Sequence, residues 1–168
     1  MVPSEGPPSE ADFRRAASQF ATGITVVTTV LDGVDHAMTV NSFTAVSLDP
    51  MLVLVCAERS TRFHDAVLAA RLWAVSVLPE SALASAAWLA TKGRPLEGQL
   101  DRIPHRRGPL TGAAVLDGSL SVFECRTTAE LDGGDHTIVV GVVLGATVED
   151  PAAEPLMYHR GHYRRLTD

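Results

Sequence analysis

Ile24-Thr-Val-Val-Thr-Thr-Val30 is a run of seven consecutive β-branched residues, and it constrains the fold more than any other feature. Branching at Cβ costs rotamer freedom in a helix but packs well on a pleated surface, so the run is predicted to be a strand. Leu31-Asp-Gly33 follows as a turn, and His36 to Asn41 reads as the returning strand of a hairpin. After the break at Asp49-Pro50, the continuous apolar run Met51-Leu-Val-Leu-Val-Cys56 predicts a central strand covered on both faces. Leu72 to Leu78 predicts another buried strand. Gly118 to Leu131 and His136 to Val148 predict two long ones around Asp132-Gly-Gly134.

Helical signals are fewer. Phe13, Ala16, Ala17 and Phe20 fall on one helical face after the cap Ser9, and Gly23 ends the pattern. Arg62 to Ala70 suits a short helix, and Ser81 to Thr91 an Ala-rich helix with Ser81 as its cap. Lys92 to Gly108 has no apolar period and is expected to be a long surface loop of the kind that often carries function, and Tyr158 to Arg165 an irregular tail. About six strands with hairpin connections, set against three helices, predict a mainly β fold, an antiparallel barrel with helices at its margins. GxGxxG and GxxxxGK[ST] do not occur, which disfavours a Rossmann or P-loop phosphate cradle. Residues 1–10, with three prolines, are expected to be a flexible tail, and residues 11–168 one domain.

Composition narrows the function. A net charge of -6 argues against nucleic acid and membrane surfaces, which need Lys and Arg to meet phosphates. Cys56 and Cys125 stand in apolar runs outside any CxxC pattern and read as buried, reduced thiols, so neither a disulfide scaffold nor a metal site is expected. No membrane span or basic-then-apolar leader is legible, and a cytoplasmic location is expected.

Three segments are polar where the pattern calls for strand or core. Met38 to Pro50 brings Thr39, Asn41, Ser42, Thr44 and Ser47 to an extended chain, where they can bind a ligand or simply cap turns. Cys56-Ala-Glu-Arg-Ser-Thr-Arg62 passes from a strand end to a helix start, a place for an anion or for ordinary capping by Ser60 and Thr61. Gly133-Gly-Asp-His136-Thr puts an imidazole at the first position of a strand leaving a Gly turn, as a ligand contact or a solvated turn residue.

Taken together, Phe20-Ala-Thr-Gly-Ile-Thr-Val-Val-Thr28, Thr39-Val-Asn-Ser-Phe-Thr44, Val46-Ser-Leu-Asp-Pro50, Ala113-Ala-Val-Leu-Asp-Gly118, Gly134-Asp-His-Thr137 and Tyr158-His-Arg-Gly161 resemble, in order and spacing, the short-chain flavin reductases that serve two-component flavin monooxygenases. The resemblance covers about Phe13 to Arg165. It implies a split β-barrel homodimer with a flavin, FAD or FMN, at each subunit interface, NADH or NADPH as hydride donor, and reduced flavin diffusing to a monooxygenase. Carried over by residue, it implies that Met38, Thr39, Val40, Asn41, Ser42, Ser47 and Leu48 line the isoalloxazine and ribityl chain. Cys56 and Ala57 lead to Ser60 and Thr61 at the phosphate. His136 and the tail with Tyr158, His159, Arg160 and Tyr163 meet the nicotinamide nucleotide, His136 assisting hydride transfer by positioning.

Two positions depart from the resembled pattern: Glu58 stands where the family commonly has Asn, and Phe63 where it has Thr. An acidic Glu58 repels a phosphate unless Arg59 or Arg62 intervenes, and Phe63 offers an aromatic face to an adenine, a pointer towards FAD. No 2′-phosphate clamp is evident, which points to NADH, although Arg160, Arg164 and Arg165 are available for one. Two rival functions remain: a flavin-binding module without nicotinamide turnover, and a pyridoxamine-phosphate-oxidase-like enzyme that retains its flavin.

Overall fold

The computed structural model describes residues 6–166, so the first five residues of the expected tail lie outside the described residues. In chain order the elements are α1 (Glu10–Ala17), β1 (Thr22–Gly23), β2 (Thr25–Leu31), β3 (Val34–Val40), β4 (Thr44–Leu48), β5 (Met51–Glu58), α2 (Arg62–Ala70) and β6 (Leu72–Val77). A 3₁₀ turn (Glu80–Ala82) leads into α3 (Leu83–Ala90), followed by β7 (His105–Arg107), β8 (Ala114–Leu116), β9 (Ser121–Gly133), β10 (His136–Val148), β11 (Leu156–His159) and β12 (His162–Arg165). The fold is mainly β.

Seven strands form one antiparallel sheet in the order β3-β2-β6-β9-β10-β5-β4. The β-branched run forms β2 as expected, and its hairpin to β3 closes through Asp32 and Gly33 at φ 51° and 77°. Both are left-handed, the geometry whose twist matches a two-residue hairpin. β9 and β10 make the longest ladder, with irregularities beside Gly141 and Gly145. At Gly141 there is a packing reason for glycine, since a Cβ there would lie 2.5 Å from the Trp73 ring.

The doubly covered strands include β2 and, as expected, β6, but not β5. Val26 and Val27 point to opposite faces and are both fully buried, because separate core clusters cover the two faces of the strand. β5 instead alternates and sits second from the sheet's end, so the expected central position is not observed; the apolar run meant one buried face and one half-buried one. Valines from β2, β3, β5 and β10 share a single cluster with Trp73, Cys125 and Phe63. The sheet therefore curls until β3 at one end and β5 beside the other pack on one core, while among the described residues β3 and β4 remain unpaired edges and hydrogen bonding does not close a barrel. Trp73 satisfies its buried indole N–H on Thr127 Oγ1 at 3.0 Å. Burial pushes the Cys125 thiol up to about 12, while Cys56 is only half-buried.

Other expectations are corrected. Ser9 caps α1 through the Asp12 amide, yet among the described residues nothing buries the apolar face of the helix, with Phe13 64% and Phe20 78% exposed. Ser81 lies inside the 3₁₀ turn and caps nothing. The segment 92–108 is not wholly a surface loop: Gln99, Leu100 and Ile103 are buried against the core, and β7 pairs with β8. The tail is not irregular, because β11 and β12 form a hairpin that adds to β1. Too short to show a period, these strands are ordered by Tyr158 and Tyr163 packing on the Leu78–Leu156 cluster.

Candidate functional site

The residues with binding chemistry converge where β3, the end of β5, the start of α2 and the segment after α3 meet. They surround a cleft of about 360 Å³. β3 contributes His36, Met38 and Thr39; the β5–α2 turn contributes Glu58 and Ser60 to Phe63; the segment after α3 contributes Lys92, Arg94 and Gln99. The turn forms because Thr61 caps α2, its hydroxyl accepting from the His64 amide at 3.3 Å and donating to the Glu58 carbonyl at 2.8 Å. The helix thereby directs the positive end of its dipole into the cleft.

Charge in the cleft is one-sided. Among the described lining residues, Arg62, Lys92 and Arg94 face a single carboxylate, Glu58. Lys92 Nζ donates to Glu58 Oε1 at 2.8 Å and Ser60 Oγ donates to the same oxygen at 2.5 Å, and these bonds hold the Glu58 carboxyl below the ordinary carboxylate range. Arg62 donates to the Arg94 carbonyl at 2.5 Å. Arg94 donates to the Ala37 carbonyl, to Gln99 Oε1 at 3.1 Å and to the Thr91 carbonyl at 3.0 Å, but its Nε is buried with no partner among the described residues. Burial and the neighbouring Arg62 lower the basicity of Arg94. Burial, then Arg62, likewise lower the His36 imidazole, so that wall of the cleft is uncharged at neutral pH.

Of the residues singled out in the sequence, Met38, Thr39, Ser60, Thr61 and Phe63 line this cleft. The Thr39 hydroxyl is engaged by the Ala86 carbonyl at 2.8 Å. Phe63 is 4% exposed and packs in the core, so its ring offers no free face for an adenine. Val40 and Ala57 are buried in the same cluster. Ser42 lies in the connection between β3 and β4, its Oγ accepting from the Cys56 amide at 2.9 Å, a structural bond. Asn41 is exposed, while Ser47 and Leu48 stand on edge strand β4 with Leu48 91% exposed.

His136 pairs directly with Glu58 across β5 and β10, at the rim of the cleft, and its Nδ1 lies 2.7 Å from Asp135 Oδ1. Arg59 is turned away to Asp132 at 2.9 Å. Tyr158, His159, Arg160 and Tyr163 form the terminal hairpin and are not among the residues lining the cleft. His36, Lys92, Arg94 and Gln99 are lining residues that sequence reasoning did not single out. Their one available signal was Lys92-Gly-Arg94, a basic pair flanking a glycine with φ 75° inside the suspect loop.

The model of the flavin reductase like domain matches residues 17–167. The chain belongs to this family. Among relatives of this flavin reductase, a Streptomyces globisporus protein named NADH-dependent FAD reductase is 37% identical over 174 residues, covering 99% of this chain and 94% of that protein. BorF, the flavin reductase component of a bacterial two-component tryptophan halogenase, superposes with TM-score 0.89 at 43% identity, covering 95% of this chain and 99% of BorF. The Streptomyces globisporus NADH:FAD oxidoreductase SgcE6, solved in complex with NAD and FAD fragments, superposes with TM-score 0.89 at 35% identity over 95% of this chain and 93% of that one.

Proposed function

We propose that this flavin reductase uses NADH to reduce FAD or FMN and releases the reduced flavin to a partner monooxygenase. The observation that carries the reading is the surplus of cations in the cleft: three basic side chains and a helix N-terminus against one carboxylate, with Arg94 Nε buried and unpartnered. Buried donors without acceptors are costly, and a phosphate supplies acceptors and negative charge together. A flavin nucleotide fits that requirement. When bound, the flavin and nicotinamide supply the hydride chemistry themselves. The chain binds, orients and excludes water. Lys92, Arg62, Arg94 and Ser60 hold the phosphate end, and Met38 with the exposed Asn41 borders the path from it to β4. His136, at the rim, positions the nicotinamide nucleotide.

The working unit is a homodimer built on a split barrel. Support comes from the curled seven-stranded sheet and from apolar surface that one chain leaves uncovered: Phe13, Phe20, Val46, Leu48 and Met51 are all more than a third exposed. Leu48 and Met51 pair across β4 and β5, and an exposed apolar pair at an open sheet edge suits an interface. A second copy would also bring the β4 edge and the terminal hairpin, both remote from the cleft in their own chain, to the partner's site. The free thiols Cys56 and Cys125 fit a reducing, cytoplasmic setting.

Purified protein mixed with NADH and either FAD or FMN tests the function through loss of NADH absorbance. Turnover with free flavin in excess is expected. Flavin binding without NADH oxidation would favour a binding module, and flavin retained through gel filtration after reduction would favour the pyridoxamine-phosphate-oxidase-like reading.

A further inference from the structure

Glu58 is the one carboxylate among the described residues lining the cleft, and it already holds two of the donors a ligand would need. Lys92 Nζ and Ser60 Oγ both bond to its Oε1, at 2.8 and 2.5 Å. An incoming phosphate must therefore take these donors from Glu58 and then sit beside a carboxylate that stays ionised at neutral pH. Repulsion between that carboxylate and the ligand grows with the charge on the nearest phosphate.

Flavin nucleotides differ in that charge. The terminal phosphate of FMN is a monoester, with a second ionisation near pH 6 and a charge of about -1.5 to -2 at neutral pH. Each phosphate of FAD lies in a diester-like pyrophosphate link that holds a single negative charge with no further ionisation near neutrality. Resting on the proposed flavin site, we infer that Glu58 is a specificity residue that penalises FMN more than FAD. It does so without touching the flavin ring, by cancelling one cation and repelling the doubly charged phosphate.

Other groups around Glu58 do not remove this asymmetry. From β10, His136 lies directly opposite and Asp135 beside it, already bonded to His136. In the turn that follows β5, Arg59 is committed to Asp132. From α2 and the segment after α3, Arg62 and Arg94 attract either nucleotide, and they persist in a Glu58 variant. From β3, His36 is uncharged at neutral pH.

Dissociation constants of riboflavin, FMN and FAD, measured by fluorescence at low salt for wild type, Glu58→Gln and Glu58→Asn, decide the matter. Removing the carboxylate is expected to tighten FMN on the order of ten-fold and FAD roughly three-fold, leaving riboflavin unchanged. The FMN gain should be larger at about pH 7.5 than at about pH 5.5, where the monoester has lost its second charge. A structural role for Glu58 would move all three ligands together and show no such pH term. Equal shifts for FMN and FAD, or a parallel shift in riboflavin, overturn the inference while leaving the phosphate site standing. Riboflavin binding wild type as tightly as FMN and FAD would overturn the phosphate site and this inference with it. Two variants of different size guard against a folding defect in one, with melting temperature as the control.

Discussion

Arg62→Gln separates binding from stability more cleanly than any other change in the cleft. Arg62 is exposed, opens α2, and makes one side-chain hydrogen bond, to the Arg94 carbonyl. No carboxylate among the described residues is within ion-pair distance, and its charge lowers the basicity of both His36 and Arg94. To the fold it is therefore a mild like-charge liability, and to an anion it is an asset. A unit charge about 6 Å from a phosphate, at an effective dielectric of about 40, interacts by about 1.4 kcal/mol per unit of phosphate charge; screening at an exposed site trims the total for the monoester to about 1 kcal/mol, or roughly five-fold in affinity. Glutamine keeps a donor and removes the charge. FMN affinity measured by fluorescence should fall roughly five-fold at low salt, riboflavin affinity should hold, and the gap should close as added salt shortens the Debye length. The melting temperature should stay level or rise slightly. Equal losses for FMN and riboflavin, or a melting temperature lower by several degrees, would refute the reasoning.

Three further outcomes are expected. His136→Ala should slow NADH-dependent flavin reduction in stopped flow by roughly 10- to 100-fold, through misalignment, with oxidised-flavin affinity nearly unchanged and no steep pH titration tied to the imidazole. Ser42→Ala removes the acceptor of the Cys56 amide and should cost about 1–2 kcal/mol, seen as a lower melting temperature, whereas Asn41→Ala should weaken flavin binding with melting unaffected. Leu48→Glu puts a charge on the exposed β4 edge and should yield monomers in sedimentation with lowered flavin reduction; an unchanged dimer would remove β4 from the interface.

Much of the framework was legible because its signals are local. The β-branched run sets β2, Leu31-Asp-Gly33 sets the hairpin, and the apolar spacing after Thr61 gives α2 its observed bounds. What the sequence hid depends on distant partners. Thr22–Gly23 and the terminal hairpin are too short to show a period, and they are strands only because they pair with one another. Met51 to Cys56 reads as doubly buried since a continuous apolar run cannot show whether its second face is covered by this chain or left half-open. The site divides the same way. Ser60 and Thr61 were legible through capping chemistry next to a strand end. Lys92, Arg94 and Gln99 were not, because a loop without period gives no clue to which residues fold inward until Leu100 and Ile103 anchor it to the core.

That division has a functional logic. A buried, fully satisfied cage of cations would bind a flavin phosphate tightly, and tight binding suits a flavin that stays. Here each cation already has an internal engagement: Lys92 with Glu58, Arg94 with the Ala37 carbonyl and Gln99, Arg62 with the Arg94 carbonyl. At the proposed site, phosphate binding would exchange these contacts, adding only an acceptor for Arg94 Nε, so the net gain would be the small difference between two sets of hydrogen bonds. The two exposed cations are further weakened by solvent and salt. A site assembled from a helix start and a loop, with its own carboxylate competing for the donors, is thus suited to a ligand that arrives oxidised and leaves reduced.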